Sequence, residues 1–407
     1  MPTNLSYAPV DFLNVPDGAG IRDSMSKRVI ILGSTGSIGR NTLDVLARLD
    51  DEWEVAGLAA GSRGQELAEQ ANRFRPAAVA IACDELAAEA RRTLQYGPKI
   101  FAGPEALTRL VDEVEADCVV CAVVGVCGLL ATLRAVELGR RVALANKEAM
   151  VVAGSLMMPL ARRTGATIIP VDSEHSAIFQ ALQAGRREDV HKVFLTASGG
   201  PFRTWSVEAM EEVTLKEALR HPTWNMGPKI TIDSATMMNK ALEIVEARWL
   251  FDLRSDQIDV VIHPESIVHS MVEFNDGSIV AQLGAPDMRT PIQYALTYPR
   301  RRPCPSPRLD LCQTGQLTFH APDPGQFPAI RLGHEVARRG GTCGAVLNAA
   351  NEAAVELFRA GAIAYRDIAR FTERALREHD FVESPTLDEL LNADRMARQK
   401  VTRCTTC

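Results

Sequence analysis

The stretch VIILGSTGSIGRNTLDVL, residues 29–46, decides how this chain is read. Val29, Ile30, Ile31 and Leu32 form a strand-like run, glycines follow at 33, 36 and 39, and a helix start comes next. Glycines at such a turn let backbone N–H groups approach a pyrophosphate at the positive end of the following helix. The spacing G-x-x-G-x-x-G departs from the commoner G-x-G-x-x-G, so the turn by itself leaves open a tight strand-to-helix connection without a ligand. Its position after the first strand of a βαβ pattern favours a dinucleotide.

Outward from that turn, the runs RVIIL, EVAGLA, AAVAIA, CVVCAVVG, RVALAN and ATIIPV alternate with helix-length segments as far as about residue 165. Strands joined through helices require crossovers and a mostly parallel sheet. From about Pro170 to Pro299 the texture changes to longer loops rich in His, Asp, Asn and Met, as in a site-bearing second domain. PRRRPCPSPRLD, residues 299–310, carries four prolines and reads as a linker. From about Ala329 the pattern is helical, with Ser384 or Thr386 as cap candidates before a face of Leu387, Leu390, Leu391 and Met396. The expected class is α/β: an extension over 1–25, a Rossmann-like parallel-sheet domain over 26–168, a central α/β catalytic domain over 169–298, a linker over 299–328 and a small helical domain over 329–407.

With 407 residues, 46% hydrophobic and 24% charged, the composition is that of a globular protein of two or three domains. A net charge of −6 supplies no basic field for nucleic acid. The longest uncharged stretch, Cys118–Leu133, is 16 residues with two glycines, short of the ~20 apolar residues of a membrane helix. Nine scattered cysteines suggest reduced thiols in the cytoplasm, not a disulfide framework. Cys118 and Cys121 alternate faces on a strand and cannot clamp one metal, and the Cys404/Cys407 pair lacks a second pair. Residues 1–25 have no apolar core or basic cluster, unlike a signal or transit peptide.

Several later stretches carry more polar chemistry than structure needs. In PVDSEHSAIFQAL, residues 170–182, Asp172 or Ser173 reads as a helix cap with Glu174 in the first turn, and the stretch alone favours that. The sharper reading is a cation site, because close carboxylates repel without a cation between them. ALANKEAM puts Asn146, Lys147 and Glu148 past a strand end, and DSATMMNKALE supplies Asp233, Ser234, Asn239, Lys240 and Glu243 at helical spacing. Each also reads as a turn or a solvated helix face. Ser198 precedes two glycines in SGGPFR; HPTWNMG, with His221 and Trp224, reads as a lid or as ordinary Trp packing. His263 and His269 alternate with apolar residues and read as core histidines. At the end of the second strand, Gly61, Ser62 and Arg63 offer no carboxylate for a ribose hydroxyl, which favours NADP(H) over NAD(H).

Together LGSTGSIG, ANKE, PVDSEH, SGGPFR, HPTWNMG, DSATMMNKALE, IHPESIVHSMV and APDMRTP resemble, in order and from Val29 onward, the 1-deoxy-D-xylulose 5-phosphate reductoisomerase family. The resemblance implies NADPH- and metal-dependent conversion of that sugar phosphate to 2-C-methyl-D-erythritol 4-phosphate in the non-mevalonate isoprenoid pathway. It implies that Thr35, Gly36, Ser37 and Ile38 hold the NADPH pyrophosphate and Gly61, Ser62 and Arg63 the adenosine phosphate, with Asn146, Glu148 and Gly227 completing the cofactor site. Asp172, Glu174 and Glu243 would bind Mg2+ or Mn2+, with Co2+ as a further candidate. Lys147, Ser173, Glu174, Ser198, His221, Trp224, Ser234, Asn239, Lys240 and Glu243 would contact the substrate, with Lys147, Asp172, Glu174, His221 and Glu243 as the catalytic groups, and His175 would support the metal ligands. A cytoplasmic homodimer is implied too. Departures are Ser62-Arg63 where many members have Lys-Asn, Ala241 where Gly often stands, and the extension. A simple NADP-dependent dehydrogenase of a hydroxy acid or aldehyde, indifferent to chelation, and a non-catalytic nucleotide sensor are the rival readings.

Overall fold

The computed structural model describes residues 26–49, 52–224 and 226–403. The 1–25 extension and the Cys404/Cys407 pair lie outside the described residues. Seven strands form one sheet: β1 (Lys27–Leu32), β2 (Trp53–Ala60), β3 (Ala78–Ile81), β4 (Lys99–Ala102), β5 (Cys118–Cys121), β6 (Arg141–Leu144) and β7 (Ile168–Pro170), in the order β4-β3-β2-β1-β5-β6-β7 and parallel throughout. Val29 to Leu32 are fully buried, as befits the central strand of a sheet covered by helices on both faces.

The sequence reading finds six of these strands and misses β4. Its four residues, KIFA, bury only Phe101 completely and pair on one side alone, so no long apolar run marks it. The chain steps outward from β1 to β4, then returns to β5 on the other side of β1. That reversal makes the β1/β5 carboxyl edge the place where an open parallel sheet receives ligands. The edge includes the ends of β6 and β7, so Asp172 follows directly from the parallel sheet.

The second sheet holds β8 (Val190–Ala197), β9 (Ile258–Ile262), β10 (Val268–Phe274) and β11 (Ile279–Leu283), ordered β11-β10-β8-β9, with only β8 and β9 parallel. The Ser173–Ala181 helix lies against β10 and β11, and the Met238–Leu250 helix against β8 and β9. These two helices carry most of the candidate site. No regular element longer than the Leu311–Thr314 turn of helix interrupts residues 299–328, as the prolines require.

The helices Ala329–Arg339, Cys343–Arg359, Asp367–Glu378 and Leu387–Arg403 complete the chain. Thr386 caps the last one, donating to and accepting from Glu389 in a reciprocal pair. Its buried face is Leu390, Asp394, Ala397 and Val401, while Met396 is 54% exposed, which corrects the expected apolar face. The Cys343–Arg359 helix packs on Lys147–Thr164, and Ala329–Arg339 on Met238–Leu250, so these helices brace the site from behind. No helix among the described residues is long and apolar enough to cross a membrane.

Candidate active site

The glycine turn is built for close approach. Gly33 has φ +88°, and a Cβ there would lie 2.5 Å from the Ala122 carbonyl oxygen at the end of β5. A Cβ on Gly39 would meet the Gly33 oxygen at 2.3 Å, so the Ser37–Leu46 helix starts in direct contact with the turn. Gly36 occupies the N-cap without a side-chain cap, leaving first-turn N–H groups beside Thr35, Ser37 and Ile38 for an anion. Arg63, just past Gly61 and Ser62, donates from Nη1 to the Thr35 carbonyl at 2.6 Å. That places a guanidinium beside the turn while its side chain stays 54% exposed. The expected cofactor residues at 35–38 and 61–63 thus share one edge.

Asn146 caps the Lys147–Thr164 helix by accepting from Ala149 N at 3.1 Å, and its Nδ2 donates to the Val123 and Gly125 carbonyls. The cap directs Lys147 and Glu148 to different partners. Lys147 Nζ contacts Asp172, lies 3.2 Å from Glu243 Oε1 and donates to Asn239 Oδ1 at 2.9 Å. Glu148 turns the other way, to Lys229 at 2.9 Å.

Asp172 holds the N-cap position of its helix but makes no side-chain cap bond, which sets aside the bland reading of this stretch. Its carboxylate faces Lys147. Ser173 Oγ donates to Glu174 Oε2 at 2.5 Å, and Lys240 Nζ bridges Glu174, at 2.9 Å, and Glu243. Ligand oxygens of Asp172, Glu174 and Glu243 all lie within 4.8 Å of one another. Asn239 Nδ2 also donates to Glu243.

Electrostatics sets these carboxylates apart. Burial, and then the charge of Glu174, raises Glu243 to about 7 despite both lysines. Burial works against ionised Asp172 as well, but Lys147 outweighs it and lowers that group to about 2. For Glu174, Lys240 outweighs burial in the same direction. Burial opposes the Lys147 charge, yet Asp172, Glu243 and Glu246 hold its ammonium well above the usual range. With Glu246, which burial also raises to about 7, four buried or half-buried carboxyl groups share two ammonium groups, so a further cation can take the place of protons in the set. An all-oxygen donor set suits a hard divalent ion.

His175 is fully buried, with Nε2 donating to the Glu243 carbonyl at 3.0 Å and Nδ1 3.3 Å from Glu246 Oε2. It packs beneath the cluster, in contact with the helix that carries Glu243 and Glu246. Asp172, His175 and Glu246 also form a second group with metal-ligating spacing. Buried Glu246 was missed because its only sign in the sequence is i+3 spacing from Glu243, which any helix supplies.

Across the site, Ser198 Oγ and His221 Nε2 are 3.1 Å apart, and His221 Nδ1 accepts from Trp224 N at 2.8 Å. Burial lowers the His221 pKa, with Glu174 opposing. A Cβ on Gly200 would lie 2.8 Å from the Ser234 carbonyl oxygen, so the two glycines after Ser198 bring that loop onto the helix carrying Ser234. Trp224 is half-buried, and Gly227 caps the Pro228–Ala235 helix in the open. His263 and His269 are buried as expected. Lys229 was also missed: its partner Glu148 is 81 residues away.

Residues 29–154 match the family described as 1-deoxy-D-xylulose 5-phosphate reductoisomerase, residues 168–251 match its C-terminal domain, and residues 283–400 match the DXP reductoisomerase C-terminal domain. The reductoisomerase of Pelotomaculum thermopropionicum is 50% identical over 91% of this chain and 97% of its own. That of Chlorobium phaeobacteroides is 51% identical over 91% and 96%. Among solved structures, the Zymomonas mobilis reductoisomerase in complex with NADPH superposes with a TM-score of 0.88 at 42% identity, covering 94% of this chain and 99% of that one. A DOX-P reductoisomerase in complex with NADPH, fosmidomycin and magnesium gives 0.88 and 42%, covering 93% and 98%.

Proposed function

The chain belongs to the 1-deoxy-D-xylulose 5-phosphate reductoisomerase family, and from that premise we propose how its own residues perform the reaction. The protein is an NADPH- and divalent-metal-dependent enzyme that isomerises and reduces 1-deoxy-D-xylulose 5-phosphate to 2-C-methyl-D-erythritol 4-phosphate. The observation that carries the residue assignment is the meeting of Asp172, Glu174 and Glu243 with Lys147 at the sheet edge that also bears the glycine turn.

Asp172, Glu174 and Glu243 hold the Mg2+ or Mn2+ ion. When bound, the ion supplies Lewis acidity toward the substrate's ketone and hydroxyl oxygens, and NADPH supplies hydride for the aldehyde that the rearrangement produces. Lys147, already held by two of the three carboxylates, keeps a positive charge beside the oxygen that gains electron density. Ser173 contacts the substrate from between the ligands. Ser198, His221, Ser234, Asn239 and Lys240 receive the sugar phosphate, supported by the Ser198–His221 contact and the Gly200–Ser234 approach. Trp224 covers the substrate from the loop after His221 and helps exclude water.

Thr35, Gly36, Ser37 and Ile38 hold the pyrophosphate, Gly61, Ser62 and Arg63 the 2'-phosphate, and Asn146, Glu148 and Gly227 the remaining cofactor contacts. The corresponding division is a cofactor domain over 26–168, a catalytic domain over 169–298, a linker over 299–328 and helices over 329–407. A homodimer through β11 is supported by its position at the sheet edge, where Ile279 is 54% exposed and Leu283 37%. The free thiols of the seven described cysteines support a cytoplasmic location.

The deciding experiment follows NADPH oxidation at 340 nm with 1-deoxy-D-xylulose 5-phosphate, with Mg2+ and with EDTA. Oxidation that requires metal is expected. Oxidation that survives chelation would favour the simple dehydrogenase instead.

A further inference from the structure

Three segments distant in sequence meet at Lys229. Its Nζ lies 2.9 Å from Glu148 Oε1 and 2.9 Å from Asp233 Oδ2, and Asn351 Nδ2 donates to Asp233 Oδ1 at 2.8 Å. The Lys229 side chain is 15% exposed, that of Glu148 7% and that of Asp233 0%. Charges this far from water persist only when paired. A lysine needed only for its own helix would be satisfied by Asp233 four residues on. Here it also reaches a carboxylate on a different domain.

Glu148 in turn accepts from Asn146 Nδ2 at 3.2 Å, and the same amide holds the carbonyls of Val123 and Gly125 in the loop after β5. Lys229 stands two residues after Gly227 in the Pro228–Ala235 helix. On the other side, the Cys343–Arg359 helix reaches this edge twice. Asn351 anchors Asp233, and the neighbouring Glu352 has a buried, unpartnered Oε1 that a Cβ on Gly125 would meet at 3.2 Å. The other Glu352 oxygen accepts from Arg398 Nη2 at 2.5 Å. A chain of polar contacts thus runs from the Cys343–Arg359 helix through Asp233, Lys229, Glu148 and Asn146 to the loop that follows β5.

We propose that Lys229 is a positioning residue for NADPH: it fixes Glu148 at the cofactor edge and, anchored through Asp233 to Asn351, makes the C-terminal helical domain part of the cofactor site. The inference rests on the reading of Glu148 as a cofactor-site residue. Removing Lys229 leaves Glu148 as an uncompensated negative charge where an anionic dinucleotide must settle, so affinity for NADPH falls before the chemistry does.

The test is a cycle of Glu148→Gln, Lys229→Met and the double variant in the full-length, metal-loaded enzyme, with NADPH Kd read by fluorescence titration alongside kcat and KM. Lys229→Met should raise the Kd and KM for NADPH by about 10-fold, the size of one charge-assisted contact, with a smaller change in kcat at saturating NADPH. Lys229→Arg should recover most of the loss. The two single losses should not add in the double variant, because Lys229 acts through Glu148. Additive losses, or an unchanged Kd in Lys229→Met, would overturn the proposal. An unchanged Kd in Glu148→Gln would instead overturn the reading of Glu148 itself and take the proposal with it. Asn351→Ala leaves every charge with a partner and so guards against misfolding: a raised Kd for NADPH supports the anchor, and a wild-type Kd removes it.

Discussion

Glu243 is the residue on which the site turns, because it is the carboxyl group that both lysines and the Asn239 amide address. Burial and Glu174 lift it to about 7 without a metal, so a divalent ion held as proposed would compete with a proton there. The sign follows directly: below pH 7 the proton wins more often and metal binds more weakly, whereas above it the carboxylate is free to ligate. Isothermal titration with Mg2+ should show the apparent Kd rising as pH drops from 8 to 6, and a flat profile would contradict this. Glu243→Gln should leave the NADPH Kd near wild type while lowering metal-dependent turnover by more than the roughly 10–100-fold that loss of a supporting group behind a metal ligand costs. Arg63, proposed above for the 2'-phosphate, makes the complementary case. Arg63→Ala should weaken NADPH by about 10- to 100-fold, as expected for a charged hydrogen bond of ~1.5–3 kcal/mol, and leave NADH binding unchanged. Equal losses for both cofactors would move the 2'-phosphate contact elsewhere.

At the scale of elements, the strand–turn–helix from β1 into Ser37–Leu46 depends on a helix that starts against its own turn. Gly39→Ala forces a Cβ to within 2.3 Å of backbone oxygen, and backbone cannot rotate away as a side chain can. A destabilisation of about 1–3 kcal/mol is expected, measured by denaturant titration, together with a weaker NADPH Kd. The Met238–Leu250 helix shows the opposite case, a departure that the fold absorbs. Ala241 fits because Gly333 faces it: a Cβ at 333 would lie 3.1 Å from the Ala241 Cβ. The extra methyl is thus taken up by the Ala329–Arg339 helix. The same Met238–Leu250 helix presents Asn239, Lys240, Glu243 and Glu246 toward the ends of β6 and β7, which no single-helix pattern could announce.

For the whole molecule, the parallel sheet and the terminal helices close on the site from two sides, and β11 leaves an apolar edge outward. Ile279→Lys should shift a dimer toward monomer in sedimentation velocity, and an unchanged size would place the interface elsewhere. Much of the architecture was legible beforehand, because local residue choice dictates it. Short apolar runs between helical patterns imply β1, β2, β3, β5, β6 and β7; prolines at 299, 303, 305 and 307 forbid regular structure; and glycines at 33, 36 and 39 mark the turn. The candidate site was legible only as separate fragments whose joint order resembled a family. Sequence by itself therefore determined the strand–turn–helix, the class of fold and the residue types available for a cofactor and a metal. Only the tertiary structure decided that Asp172 faces Lys147 instead of capping its helix, that Glu243 joins it across 71 positions, and that Lys229 links Glu148 through Asp233 to Asn351 of the Cys343–Arg359 helix. The physical reason is that propensity and spacing act within a few residues, whereas the pairing of buried charges depends on which elements packing brings together.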